Sequence, residues 1–381
     1  MERTVWRASE PRDLIVYAQY AVGYRPRQSM VVLCLGPGGR RVGAVGRFDL
    51  VPDDVPGAIE AQSDAVALVA RTGQADAVAV VVFTDDELPA GLLPAVRERL
   101  AVDGRPLLDA WAVGATRYRC LTCDDDCCPE AGWPVEELAE GALAAELVLD
   151  GRVLLDRRCD VVADLTPSAD ADARDVAGRL APVAPAAGHP APDASRRGAA
   201  FDTWLRMLDR EPERASSLEV AEVLQAMESA AVRDAVILTA VPGTRKAARG
   251  LATGSAFSVG DEGALLPDHD LGVALDAVFG GAGTAAGPPV HPDRDRVARV
   301  EAHLRRLVRL APPRHRRAPL GVLAWLAWWT GRGVLADEVL KLLEAEHPGD
   351  TLGELIRVAV DRGLPPPWAQ PAEGLPQAPA C

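Results

Sequence analysis

Cys120, Cys123, Cys127 and Cys128 crowd into the run Arg-Tyr-Arg-Cys-Leu-Thr-Cys-Asp-Asp-Asp-Cys-Cys-Pro, whose side chains could do chemistry that folding alone does not require. A C-x2-C pair opens a tetrahedral thiolate site for zinc, or a dithiol redox pair. Zinc would need four ligands. Cys120 and Cys123 have knuckle spacing and either Cys127 or Cys128 could add a third thiolate. Cys159 is the available fourth donor, because no histidine precedes His189. Two features oppose that site. Adjacent residues in extended backbone point to opposite faces, so Cys127 and Cys128 diverge. Asp124, Asp125 and Asp126 disfavour a thiolate through like charge. The expectation is buried structural thiols and no bound cofactor. Zinc held by Cys120, Cys123, either Cys127 or Cys128, and Cys159 is one alternative, and a redox or disulfide role is the other.

Carboxylates offer a second chemistry. Asp85, Asp86 and Glu87 follow the Val-rich run ending at Phe83, and the carboxyl end of such a strand is where α/β proteins place catalytic groups. Acidic residues ahead of Leu88 and Pro89 equally serve a solvated loop and a helix start. Arg47 and Asp49 share one strand face and can pair with each other or with a ligand; structural pairing is the simpler reading. Asp49, Asp85, Asp86 and Glu87 are therefore the catalytic candidates. Glycine loops add none. Gly36 to Gly39 precedes a strand where a phosphate loop would open a helix, so it reads as a hairpin turn. Gly243-Thr244-Arg245-Lys246 lacks phosphate-loop spacing and reads as a turn between helices. No G-x-S-x-G elbow occurs.

The elements that would position these groups alternate in type. Leu14 to Val22 has helical spacing broken by Arg25-Pro26. Met30 to Leu35, Arg41 to Leu50, Ala77 to Phe83 and Leu108 to Tyr118 read as strands, and Ile59 to Ala70 and Leu92 to Leu100 as helices. Cys159 is expected on a helix beginning near Asp156. That alternation predicts an α/β N-terminal domain, a mixed sheet covered by helices, over residues 1–165. A helix and a Pro/Ala-rich linker follow over 166–200. A mostly α-helical C-terminal domain is expected over 201–365, with helical spacing in Phe201 to Leu208, Leu218 to Leu238 and Arg296 to Leu310. A disordered tail is expected over 366–381. Gly280 to Pro289 reads as a mobile loop.

Composition narrows the setting. A net charge of −14 disfavours attraction to nucleic acid or an anionic membrane. Against it stands His291 to Arg317, with nine arginines to three acids. Val297, Val300, Leu304, Leu307 and Val308 recur there at helix spacing and must face a core, which predicts a solvated arginine face paired with the protein's own acids. Nearly all basic residues are arginine, and with abundant Ala, Val, Gly and Pro this looks like the coding bias of a GC-rich genome. The N-terminus lacks an apolar signal region, and the apolar run Leu320 to Trp329 is too short to span a bilayer. An odd count of seven cysteines with no export signal predicts reduced thiols in the cytoplasm.

One stretch is similar to a tetratricopeptide-repeat hairpin. Leu320, Leu323, Ala324, Ala327, Gly331, Ala336, Leu340, Leu343 and Pro348 fall in that repeat's registers for large, small and breaking residues. More of the chain resembles an actinobacterial family known only as a domain of unknown function. The matching pieces occur in order: Asp13-Leu14 with Gly23-Tyr24-Arg25-Pro26-Arg27-Gln28-Ser29-Met30-Val31-Val32, then Arg47-Phe48-Asp49-Leu50, then Cys123, Cys127, Cys128, Pro129 and Gly132. Val232-Arg233-Asp234-Ala235 and Ala324-Trp325-Leu326-Ala327-Trp328-Trp329 follow. Gln19 and Cys120 stand where the family pattern has proline and serine. The resemblance implies an architecture and no activity.

A non-enzymatic interaction or scaffold module is therefore expected. Its partner would be another protein, held by the hairpin's Trp325, Trp328 and Trp329. Nucleic acid and membrane are not expected partners. An α/β enzyme or small-ligand-binding protein with a site at the strand ends is the rival.

Overall fold

A computed structural model describes residues 7–8, 10–39, 41–52, 55–123, 129, 131–180, 194–259, 265–279 and 290–369. They divide into two compact units, one ending at Val161 and the other running Val162–Ala369. The first is α/β with a mixed sheet, and the second is mostly helical. Among the described residues no helix is long and apolar enough to cross a membrane.

The α/β unit runs α1 (Asp13–Val22), β1 (Ser29–Leu35), β2 (Val42–Asp49), α2 (Ala58–Thr72), β3 (Ala77–Phe83), α3 (Leu92–Val102), β4 (Leu107–Val113), β5 (Arg117–Cys120), β6 (Trp133–Pro134) and α4 (Ala142–Leu149). The strands pair in the order β2-β1-β3-β4-β5-β6. β1 lies antiparallel to β2 and β3, joined to β2 through the positive-φ glycines Gly38 and Gly39. β3 and β4 are parallel with α3 as their crossover, and β4, β5 and β6 are antiparallel. Every residue of β1 and β3 is buried, so both sheet faces must be covered. Met30, Val32, Cys34, Val78, Val80 and Val82 point to α2 and α3, where they meet Val66, Ala70, Leu92, Val96 and Leu100. By alternation Val31, Leu33, Ala79 and Val81 point the other way, toward α1.

One expected strand is two. Leu108 to Tyr118 folds as β4 and β5 around a tight turn closed by the Gly114 amide donating to the Arg117 carbonyl at 2.8 Å. Cys159 likewise sits in a 3-10 segment, Arg158–Leu165, rather than an α-helix, with Asp160 accepting from the Arg157 amide at 3.0 Å at its start.

The helical unit comprises α5 (Ala171–Arg179), α6 (Ala194–Leu208), α7 (Ser217–Ala226), α8 (Ala230–Leu238), α9 (Arg245–Thr253), the pair β7 (Phe257–Val259) and β8 (Leu265–Pro267), α10 (His269–Phe279), α11 (Arg294–Leu310), α12 (Arg317–Trp329), α13 (Gly333–Glu346) and α14 (Thr351–Asp361). The expected helix Leu218 to Leu238 is broken by Ser229 in an extended conformation, a break that its unbroken apolar spacing conceals. Most of the Pro/Ala-rich linker and all of Gly280 to Pro289 lie outside the described residues. So does the expected tail from Gln370, but ahead of it Trp368 donates its indole N–H to the Trp329 carbonyl at 2.6 Å.

α12 is apolar on every side and packs against α8, α11, α13 and α14. Two of its tryptophans are core: Trp325 and Trp329 are buried and stacked at 5.4 Å, while the half-buried Trp328 donates its indole N–H to the Leu364 carbonyl at 2.9 Å. The arginines also differ from a purely solvated face. Arg306 is buried against Asp172 (3.2 Å) and the Ala215 carbonyl (3.1 Å), and Arg305 joins Glu301 (2.9 Å) and Asp164 (2.5 Å). Arg316, 1% exposed, forks onto Glu346 at 2.7 and 3.0 Å and donates to the Val308 and Leu165 carbonyls at 2.7 and 3.0 Å.

That four-way arginine generates a prediction. Arg316→Met keeps the apolar stem but strands two buried carbonyls and a carboxylate, so it should destabilise the protein by about 3 kcal/mol. Urea unfolding followed by circular dichroism measures this; an unchanged midpoint would refute the role given to Arg316. A second prediction comes from Cys34, buried between β1 and α2. Burial pushes its thiol up to about 11, with Arg105 opposing weakly. The neutral thiol is thus favoured by the fold, its contribution complete below the unfolded thiol's value and lost as pH climbs toward about 11. Unfolding free energy measured from neutral to strongly alkaline pH should fall less steeply in Cys34→Ala than in the native protein.

Candidate functional site

Pairing of β4 with β5 and β5 with β6 sets one row of side chains on the α1 side of the sheet. Trp111 lies directly opposite Cys120, Val113 opposite Tyr118, and Tyr118 opposite Trp133. Asp109 shares the parity of Trp111, two residues away. Together with the start of α1 and the turn Val135–Leu138 they bound a cavity of about 490 Å³, lined by Glu10, Pro11, Arg12, Asp109, Trp111, Tyr118, Cys120, Cys123, Trp133 and Glu137.

Aromatic rings form its wall. Tyr118 and Trp133 stack at 5.5 Å and 24°, while Trp111 stands tilted at 51° to Tyr118 and 49° to Trp133, about 6 Å from each. Trp111 and Tyr118 are buried and Trp133 is half-buried. Gly132 makes this stacking attainable. Its φ of +71° belongs to glycine, and a Cβ there would lie 2.5 Å from the Tyr118 carbonyl oxygen. Arg117 fastens the same turn by donating to the Gly132 carbonyl at 2.8 Å.

The polar groups are few and fixed. Asp109 accepts from the Trp111 indole at 2.9 Å, the Thr122 hydroxyl at 3.2 Å and the Cys120 thiol at 3.7 Å. Arg12 pairs with Glu10 at 2.5 Å and Glu137 at 3.5 Å. Burial pushes the Tyr118 hydroxyl above its ordinary pKa, and the hydrogen bond from Arg12 pulls the other way.

Of the residues predicted to do chemistry, Cys120 and Cys123 reach this cavity. Cys127 and Cys128 lie outside the described residues. Cys159 is exposed, its thiol 3.8 Å from Asp160. Among the described residues no group of three or more His, Cys, Asp or Glu is placed to hold a metal ion. Of the carboxylate candidates, Asp49, Asp85 and Asp86 serve turns and ion pairs. Asp49 ends β2, exposed, beside Arg47 and 3.8 Å from Arg158, while Arg47 also donates to the buried Ser29 hydroxyl at 2.6 Å. Asp85 accepts from the Ala115 amide at 2.5 Å and so braces the β4–β5 turn. Asp86 accepts from the Gln28 amide group, whose oxygen takes the Thr84 hydroxyl at 2.7 Å. Glu87 borders a separate hollow of about 390 Å³ with Pro89, Arg97 and Arg119.

The cavity residues Arg12, Asp109, Trp111, Tyr118 and Trp133 escaped the sequence reading. One signal could have found them: an aspartate two residues before a tryptophan, inside an otherwise apolar strand. Gly132→Ala tests the construction. It should lose about 2 kcal/mol through the strained φ and the clash with Tyr118. It should also shift tryptophan emission to the red as Trp133 leaves its stack; unaltered emission and unfolding midpoint would count against the assembly described.

No curated protein and no solved structure matches this chain. The family model described as Domain of unknown function (DUF4192) matches residues 11–259 and 290–367, which include the whole of this cavity's described wall from Pro11 onward. By that match the chain belongs to the DUF4192 family.

Proposed function

We propose that the α/β unit binds a small organic ligand in the cavity over β4, β5 and β6. Trp111, Tyr118 and Trp133 serve as its walls and Asp109 as its polar anchor. The observation that carries this is Asp109, a carboxylate beside the aromatic wall and oriented by donors from Trp111, Cys120 and Thr122. Placing such a group in an apolar wall costs desolvation that a purely structural core avoids. Size agrees, since ligand cavities run from about 300 to 1,000 Å³ and are mainly apolar with a few placed polar groups. The scaffold reading drew on Trp325, Trp328 and Trp329, of which Trp325 and Trp329 are buried in the helical core and Trp328 donates to the Leu364 carbonyl. Asp49, Asp85 and Asp86 at the strand ends are engaged in turns and ion pairs. A cytoplasmic setting belongs to the same proposal, supported by the free thiols of Cys34, Cys120 and Cys159, a state that reducing compartments maintain.

A screen of small water-soluble aromatics, amines and acids by thermal shift and intrinsic tryptophan fluorescence tests the reading. Compounds that raise the melting temperature should lose about tenfold in affinity in Trp133→Ala, roughly 1.4 kcal/mol. The variant should keep its far-ultraviolet circular dichroism. Hits that bind both proteins equally would place the ligand elsewhere and overturn the proposal.

A further inference from the structure

Charge and ring geometry in this cavity say more than that something small binds. Its described wall carries three carboxylates, Glu10, Asp109 and Glu137, against the single guanidinium of Arg12. Arg12 is already engaged, 2.5 Å from Glu10 and 3.5 Å from Glu137, with the Tyr118 hydroxyl as a further partner. Asp109 is different. Its acceptors meet an indole N–H, a hydroxyl and a thiol, all neutral, so its negative charge is oriented but not neutralised by them. Beside it, the tilted Trp111 and the stacked Tyr118–Trp133 pair form a corner of ring faces, and the π face of an aromatic ring is its negative side. Both components of the site attract positive charge and repel anions.

The form of that charge follows from how Asp109 is occupied. Three donors already take three of its roughly four lone-pair sites, so a primary ammonium, with three N–H groups to satisfy, would lose hydration without gaining a full set of hydrogen bonds from Asp109. An alkylated ammonium donates few or none, is weakly hydrated and covers ring faces with methyl groups, the match that aromatic cages exploit. Resting on the ligand-binding reading above, we infer that this cavity selects an alkylated ammonium compound. Its charged head lies in the corner of Trp111, Tyr118 and Trp133, and Asp109 supplies the countercharge.

Choline and its uncharged isostere 3,3-dimethylbutan-1-ol separate charge from shape. Both are titrated into the full-length protein at constant ionic strength and followed by tryptophan fluorescence and calorimetry. Choline should bind at least about tenfold more tightly than the alcohol. Asp109→Asn should weaken choline about tenfold and leave the alcohol within about twofold, whereas Trp133→Ala should weaken both. Equal binding of the two compounds, tighter binding of the alcohol, or an unaltered choline affinity in Asp109→Asn would overturn the cation inference while leaving the cavity a ligand site. Failure of both compounds to bind would overturn it too, and the wider screen then decides the ligand-binding reading by itself. Should Asp109→Asn not fold, the ratio of choline to alcohol in the native protein decides.

Discussion

The parallel pairing of β3 with β4 sets where every side chain of the candidate site points. β3 is buried along its whole length, so it has one register that satisfies both faces. Ala79 is matched to Asp109, Val81 to Trp111 and Phe83 to Val113. A slip of one residue would send Asp109 and Trp111 to the α3 face and bring Ala110 and Ala112 to the α1 face. That would bury a carboxylate among Val80, Val82 and Val96 with no donors, at a cost of several kcal/mol. The hydrophobic core of β3 therefore excludes the wrong register, and the cavity inherits its geometry from that exclusion. β5 and β6 only extend the pattern outward, held by the Gly114 turn on one side and Gly132 on the other.

Given that frame, the loops divide the work between bracing and binding. Asp85 and Asp86 look like chemistry at a strand end, yet each oxygen contact found for them stabilises a turn: Asp85 the β4–β5 hairpin and Asp86 the bend at Gln28, which holds a φ of +44°. A carboxylate that accepts from backbone amides in a turn has its position fixed by the fold. Asp109 accepts from side chains that themselves line a cavity, and its position is therefore fixed in relation to that space. The two situations have the same residue type and opposite consequences.

How far the sequence could be read follows from the same distinction. Runs such as Ala77 to Phe83 and the helical spacing of Val297 to Val308 declare their elements because burial demands an unbroken apolar pattern. The turn at Gly114 does not declare itself. Read as one strand, Leu108 to Tyr118 places Trp111 and Tyr118 seven positions apart and hence on opposite faces. The hairpin reverses the chain and brings them to the same face, and only then does an aromatic wall exist. The cysteine cluster drew attention because its spacing is local. Asp109, Trp111 and Trp133 come together through strand pairing across more than twenty residues, which no local spacing records.

The tryptophans show how context separates core from site. Trp325 and Trp329 stand four apart on a helix whose buried positions are otherwise Pro, Gly, Leu, Val and Ala, and they stack inside the unit. Trp111 alternates with Asp109 on an edge-ward strand, and Trp133 follows a glycine that turns the chain back on Tyr118. A ring in the first setting serves packing against its apolar neighbours. A ring in the second has a carboxylate and open volume beside it, and its π face is left available to something other than this chain. The arginines obey the same logic in reverse. Arg316 sits in the helical core because two carbonyls and Glu346 satisfy its fork, and Arg306 is buried beside Asp172, while Arg294, Arg299, Arg309, Arg314 and Arg317 of the same basic stretch stay exposed.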